Sequence, residues 1–280
     1  MREIAVQEVT AAVARLCLEA CSVLEQEWWQ AMDRALAGEE APLGRDILKQ
    51  LQENARLAAT NREPICQDTG VAVVFVELGQ DVHVNGGSLY EAINAGVRQG
   101  YREGYLRKSV VGDPLLRKNT GDNTPAIIHT EIVEGDSLRI TVAPKGAGSE
   151  NMSGVKMLKP ADGVEGIKRY VLQVVEEAGG NPCPPVVLGV GIGGNLEKAP
   201  YLAKKALLRP VGQRHPLSHV AELEEELLAA VNATGIGPMG LGGRVTALAV
   251  HIEIYPTHIA SLPVAVNLQC HAARHATAIL

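Results

Sequence analysis

Aromatic side chains are scarce in this chain. Phe75 is its one phenylalanine, beside two tryptophans and six tyrosines in 280 residues. A core must therefore be built from Val, Leu, Ile and Ala. Basic excess is missing too. Lys and Arg number 26 against 32 Asp and Glu, a formal charge of −6. With so few aromatics, that balance excludes a broad nucleic-acid-binding surface. No uninterrupted apolar run is long enough to span a bilayer, and no basic-then-apolar leader opens the chain, so no membrane association and a cytoplasmic location are expected. CxxC pairs are absent, which leaves a structural zinc ribbon unsupported. The cysteine count is five, and an odd count argues against a disulfide framework.

What is present is a chain that is 46% hydrophobic and long enough for one large domain or two small ones, with a real core. Helical spacing of Ile4, Val6, Val9, Val13, Leu16, Cys17 and Leu24 predicts a helix over 3–36, unbroken until Gly38. A second helix is expected over 44–60, a buried strand over 71–78, and a helix over 88–105 capped by Ser88. A polar loop at 117–125 leads to 126–144, which reads as a hairpin about "EGDS". The Gly/Ser stretch 145–154 reads as a loop outside the core. Helices follow at 162–178, 195–208 and 217–232, and strands at 186–190, 244–255 and 262–270. The expected class is α/β (mixed α+β): an N-terminal helical segment, then mixed sheets flanked by helices, as two subdomains with a subdivision near 110–125.

The cysteines divide into two kinds. Cys17 and Cys21 lie four apart in an apolar helix, where unbridged cysteine behaves as a small buried hydrophobe, although the spacing also suits a metal pair. Cys66, Cys183 and Cys270 sit between regular elements: before Gln-Asp-Thr-Gly, between Pro182 and Pro184, and at the end of a strand. Burial, nucleophilic catalysis and metal binding all remain open for them. Three thiolates on a [4Fe–4S] cluster would leave one iron with an open position, which suits hydration chemistry better than electron transfer, where four cysteines are usual.

"GVGIGG" (189–194) fits the dinucleotide-binding pattern through Gly189, Gly191 and Gly194. About twenty residues on, where ribose binding wants an acidic residue, the chain reads "RPVGQRHP". The pattern is therefore read instead as a tight backbone turn, "GIGGN", between strand and helix.

Seven segments, "PICQDTG", "YLRKSV", "RKNTGDNTPAIIH", "KGAGSEN", "NPCPP", "GVGIGGN" and "THIASLPVAVNLQCHAARH", together resemble the iron–sulfur-dependent class I fumarate hydratases and the related L-tartrate dehydratases, and in particular their separate alpha subunit. The resemblance runs from about residue 62 to the end of the sequence. It implies a [4Fe–4S] cluster on Cys66, Cys183 and Cys270, and substrate contacts from Gln67, Asp68 and Arg107. It further implies backbone N–H donors near Gly146 and Gly148, and a histidine, His258, near the hydroxyl-bearing carbon. One departure is Ala147, where related chains often carry glycine in the middle of this loop. Asp68 and Thr69 otherwise read as turn residues, Arg107 as a solvated charge, and His129, His251 and His271 as structural. Ten residues follow Cys270, too few to supply the family's remaining carboxylate ligands and its proton-abstracting base. The resemblance thus implies a separate beta subunit, an α₂β₂ assembly and a small dicarboxylate substrate. The expected reaction is reversible hydration of fumarate to (S)-malate. L(+)-tartrate dehydration is the close alternative, and a non-catalytic iron–sulfur scaffold or redox sensor the alternative of another class.

Overall fold

The computed structural model describes residues 2–280. The first half of the chain runs β1 (Arg2–Ala5), α1 (Val6–Ser22), α2 (Gln26–Gly38), α3 (Pro42–Asn61), β2 (Val71–Gly79), β3 (Val82–Asn85), α4 (Leu89–Glu103), β4 (Ile127–Val133) and β5 (Leu138–Lys145). It continues with α5 (Ala147–Glu150), β6 (Gly154–Leu158), α6 (Gly163–Ala178), β7 (Val186–Gly194), α7 (Lys198–Ala206), α8 (Ser218–Asn232), β8 (Ala247–Thr257), β9 (Leu262–Gln269) and β10 (Ala276–Ile279). The class is mixed α/β, as the sequence pattern implies. The chain divides into two compact units, one of residues 2–24, 54–146 and 274–280, the other of 25–53 and 147–273.

The first unit holds a four-stranded sheet in the order β10-β5-β2-β4. Alternate residues of β2 (Ala72, Val74 and Val76) turn toward Val9, Val13 and Leu16 of α1 and Ile93 and Val97 of α4. The two helices approach closely because α4 carries glycine where they touch. A Cβ on Gly100 would stand 2.7 Å from the Ala14 carbonyl oxygen and 2.8 Å from the Cys17 Cβ.

Two expectations fail in this part of the chain. The helix expected over 3–36 is a strand, a helix and a second helix. Residues 2–5 pair with β3 in a parallel two-stranded sheet. α1 stops at Ser22, whose hydroxyl donates back to the Leu18 carbonyl at 2.8 Å, and Val23 is extended. Two amphipathic helices joined without Gly or Pro keep the apolar period, so spacing alone does not reveal the break. The hairpin expected over 126–144 is also absent. β4 pairs in parallel with β2, and β5 pairs antiparallel with the other edge of β2. The "EGDS" segment arches over the end of β2: Gly79 N–H donates to the Ser137 carbonyl at 2.9 Å and Asp81 N–H to the Gly135 carbonyl at 3.0 Å. That arch inserts β2 between its two neighbours.

The second unit has a sheet in the order β6-β9-β7-β8, with β7 and β8 parallel and β9 antiparallel to β6 and β7. α6 and α8 supply Ile167, Val171, Val174, Leu227 and Val231 to one core. Ala199 and Ala203 of α7 pack with Ala265 of β9 in a separate cluster. The "GIGGN" turn is not a turn here, because β7 runs on through Gly194. Gly189 and Gly191 face α7, and a Cβ at either would lie 2.0 Å from the carbonyl oxygen of Ala203 or Ala199. These glycines bring helix and strand backbones together. The stretch 145–154 is likewise not a loop outside the core: it forms the end of β5, the single turn α5 and the start of β6, and Lys145 and Ser149 are buried. The remaining expected elements agree to within a few residues.

Candidate active site

Within the first unit the turn Cys66–Gly70 is held by its own polar groups. The Cys66 sulfur accepts the Asp68 N–H at 3.4 Å, and Asp68 Oδ1 accepts the Gly70 N–H at 3.1 Å. Gly70 has φ +71°, and a Cβ there would meet the Lys145 backbone at 2.5 Å. The "QDTG" turn thus rests directly on the start of "KGAGSEN". Gly146 follows, and a Cβ on it would lie 3.0 Å from Asp68 Oδ2 and 3.5 Å from an Arg274 Nη. Asp68, Gly146 and the buried Arg274 therefore meet at one point. Gln67 is exposed, and its Oε1 lies 3.3 Å from the Cys66 sulfur.

The floor of this turn is a set of buried hydrogen bonds. Tyr101 donates to the Thr69 carbonyl at 2.7 Å, and Asn123 Nδ2 donates to the Gly70 carbonyl at 3.1 Å. Burial drives the Tyr101 phenol well above its ordinary pKa, so the hydroxyl is a permanent donor. The Thr69 hydroxyl donates to the Arg107 carbonyl at 3.1 Å, and Asn123 Oδ1 accepts the Ser109 N–H at 2.7 Å. Arg107, with its side chain exposed, is thereby fixed at its backbone to the cysteine turn.

In the second unit Cys183 is exposed, with φ +59°. Its carbonyl accepts the His271 N–H at 3.3 Å, and His271 Nδ1 lies 3.2 Å from the same oxygen. The Cys183 loop and the Cys270–His271 segment are thus brought together. The Trp28 indole N–H donates to the His271 carbonyl at 2.5 Å. The His129 ring lies 5.2 Å from that of Phe75. Gly148 is exposed, 3.4 Å from the Asn181 carbonyl oxygen measured from where its Cβ would be. His258 lies in the exposed link after β8, and its Nδ1 accepts the Ala260 N–H at 3.1 Å. A neutral ring so engaged carries its proton on Nε2.

α5 is anchored by a polar cluster. Lys204 Nζ donates to both Glu150 oxygens, at 2.7 and 2.8 Å. Asn267 Nδ2 donates to Glu150 at 2.9 Å and to the Ser153 hydroxyl at 3.0 Å, and that hydroxyl accepts the Leu268 N–H at 3.0 Å. Sequence reading missed Glu150, Lys204, Asn267, Arg274, Tyr101 and Asn123. Asn123, Glu150, Asn267 and Arg274 stand inside the quoted segments, but each has a partner more than fifty residues away.

Cys17 and Cys21 are fully buried, and burial pushes the Cys21 thiol up to about 11 and the Cys17 thiol higher still. They are core residues, not ligands. Cys66, Cys183 and Cys270 form no disulfide with any described residue, and none is fully buried. Among the described residues no ready-made group of three or more His, Cys, Asp or Glu stands arranged to hold a metal ion. Nor, among the described residues, is any helix long and apolar enough to cross a membrane.

The chain is similar in sequence to known proteins. The sequence pattern of the family described as Fumarate hydratase (Fumerase) matches residues 10–279. The protein named "Putative L(+)-tartrate dehydratase subunit alpha" of Methanocaldococcus jannaschii is 45% identical over 276 residues, covering 96% of each chain. The "L(+)-tartrate dehydratase subunit alpha" of Escherichia coli O157:H7 is 32% identical over 279 residues, covering 99% of this chain and 92% of the relative. With the match running through the Cys66 turn, the Cys183 loop and the Cys270 strand end alike, the chain belongs to the Fumarate hydratase (Fumerase) family of hydro-lyases.

Proposed function

We propose that the chain is the alpha subunit of an iron–sulfur hydro-lyase that interconverts fumarate and (S)-malate. The observation that carries this reading is the Cys66–Gly70 turn: an unbridged thiol, an exposed amide and a carboxylate on one locked loop, with Asp68 against Gly146 and Arg274. Cys66, Cys183 and Cys270 would hold a [4Fe–4S] cluster. The donor set fits it, since these three thiols are unbridged and lie in loops, whereas the remaining two are sealed in a core. Bound by three thiolates, such a cluster supplies one open iron as a Lewis acid for the substrate's hydroxyl oxygen.

The chain's own residues then bind and orient. Arg107 offers a planar guanidinium that pairs with one substrate carboxylate through two parallel hydrogen bonds. Gln67 and the N–H groups near Gly146 and Gly148 contribute further donors. As the C–H proton leaves during dehydration, charge spreads onto a carboxylate, and these donors stabilise it. Asp68 and His258 manage the proton on the oxygen side. Asp68 brings a carboxylate beside Gly146 and Arg274, and His258, whose Nδ1 accepts the Ala260 N–H, brings an imidazole. The base that takes the C–H proton belongs to a separate beta subunit, in an α₂β₂ assembly with two-fold symmetry.

A second reading, L(+)-tartrate as substrate, is favoured by the names of the two relatives. Both are separated by one experiment. The chain is purified anaerobically with its beta subunit, analysed for iron, sulfide and visible absorbance, and assayed on (S)-malate, fumarate and L(+)-tartrate. Turnover of malate and fumarate supports the first reading and turnover of tartrate the second. A preparation with cluster but no turnover of any of the three, and indifferent to Arg107→Ala, points to a scaffold or sensor.

A further inference from the structure

Within the first unit, the segment Tyr105–Thr120 starts from the buried Leu106 and folds back on itself as an arm. Gly112 N–H donates to the Lys118 carbonyl at 2.8 Å, Thr120 N–H to the Val110 carbonyl at 3.0 Å, and Val111 and Asn119 form an antiparallel bridge. At its tip Asp113 Oδ1 accepts the N–H groups of Leu115 and Leu116 at 2.7 and 2.8 Å. The tip is a built turn, and it presents two adjacent leucines that are 89% and 81% exposed. Tyr105, at the root, is 92% exposed. Leucines held in solvent by a locked turn carry a lasting hydration cost, and their ordering has already been met before any contact is made.

The arm also differs in charge from the rest of the molecule. Residues 105–120 contain four cations (Arg107, Lys108, Arg117 and Lys118) and one carboxylate, Asp113, which is engaged by the tip, on a chain whose formal charge is −6. The root is the site itself: Thr69 and Asn123 tie Arg107 and Ser109 to the cysteine turn.

We infer that the arm 105–120 is a docking element for the separate beta subunit, its Leu115–Leu116 tip entering an apolar socket with an acidic rim. The inference rests on the reading above, in which the site is completed by a second subunit. Because Arg107 and the leucine tip share one backbone held at one root, seating the tip also fixes where Arg107 stands.

The test uses the full chain and its beta subunit under anaerobic conditions, with association measured by analytical ultracentrifugation. The pair Leu115→Ser, Leu116→Ser is expected to raise the Kd for beta about 30-fold or more, while the variant alone keeps its melting temperature and iron content. If that pair does not fold, Arg117→Glu with Lys118→Glu, both on exposed positions, decides the question by the same measurement. Unchanged beta binding by the deciding pair overturns the inference, as does a change confined to self-association of the alpha chain, which would assign the arm to a second copy. Wild-type chain that does not bind beta at all overturns the two-subunit reading itself, and this inference with it.

Discussion

Asp68 uses one carboxylate oxygen to close its own turn and leaves the other against Gly146. Asp68→Asn can still accept the Gly70 N–H, so iron content should hold while kcat falls by about 10² or more. His258→Asn should behave similarly; near-normal turnover in both would remove them from the proton path. For the thiols, Cys66→Ser, Cys183→Ser and Cys270→Ser should each deplete iron, whereas Cys21→Ala should keep it and lose about 1–2 kcal/mol of stability by cavity formation. Away from the site, Glu39 is buried at 1% exposure and accepts N–H groups of Ala41, Arg244 and Val245 at 2.8–2.9 Å. Burial raises its pKa, but the backbone donors outweigh burial and hold it below its ordinary 4.5. The sign follows: its contribution to stability is complete above about pH 4.5 and is lost as pH falls through the lower folded value. Glu39→Gln should flatten that part of an acid-unfolding curve monitored by circular dichroism. At this scale the loop cysteines and the "QDTG" turn were legible, because residue type and local punctuation mark them. Arg274, Tyr101 and Asn123 were not, since an arginine, a tyrosine and an asparagine acquire their meaning from carbonyls and carboxylates far along the chain.

Among elements, the glycines decide what packs. Gly100→Ala would gain about 1 kcal/mol of helix propensity, but its Cβ would press on the Ala14 carbonyl and the Cys17 Cβ. Backbone cannot yield cheaply, and overpacking costs about 1–3 kcal/mol. Urea denaturation should therefore show net destabilisation. The Gly191 site is tighter, at 2.0 Å from the Ala199 carbonyl, and Gly191→Ala should yield little soluble protein. Lys204 helps anchor α5, so Lys204→Met should remove its two hydrogen bonds to Glu150, raise KM for dicarboxylate more than it lowers kcat, and spare iron content. Lys204→Arg should restore part of the loss. Helices with a clear apolar period were readable, as was the burial of β2. Strand pairing was not: β4 and β5 look like a hairpin until β2 is found between them, and a local pattern carries no record of a third strand.

For the whole molecule, the proposed cluster, which would have an open iron and three protein ligands, predicts sensitivity to air. Aeration should remove turnover and visible absorbance together, and iron with a reductant should restore both; full activity after long aeration would count against the cluster. The mixed class and the family segments were legible across most of the chain. The division into two units was harder to read, because each unit is assembled from separated stretches of sequence. One of those stretches is β10, which closes the β5 side of the first sheet and contributes Ala276 and Ala278 to its core. On the ribosome, then, residues 54–146 emerge long before their outer strand, and β5 waits with an unpaired edge while more than a hundred further residues are made. Synthesis order thus exposes the first unit to strand-mediated aggregation for longer than the second, and slower translation or chaperone depletion should show up first as misfolding of the half that carries Cys66.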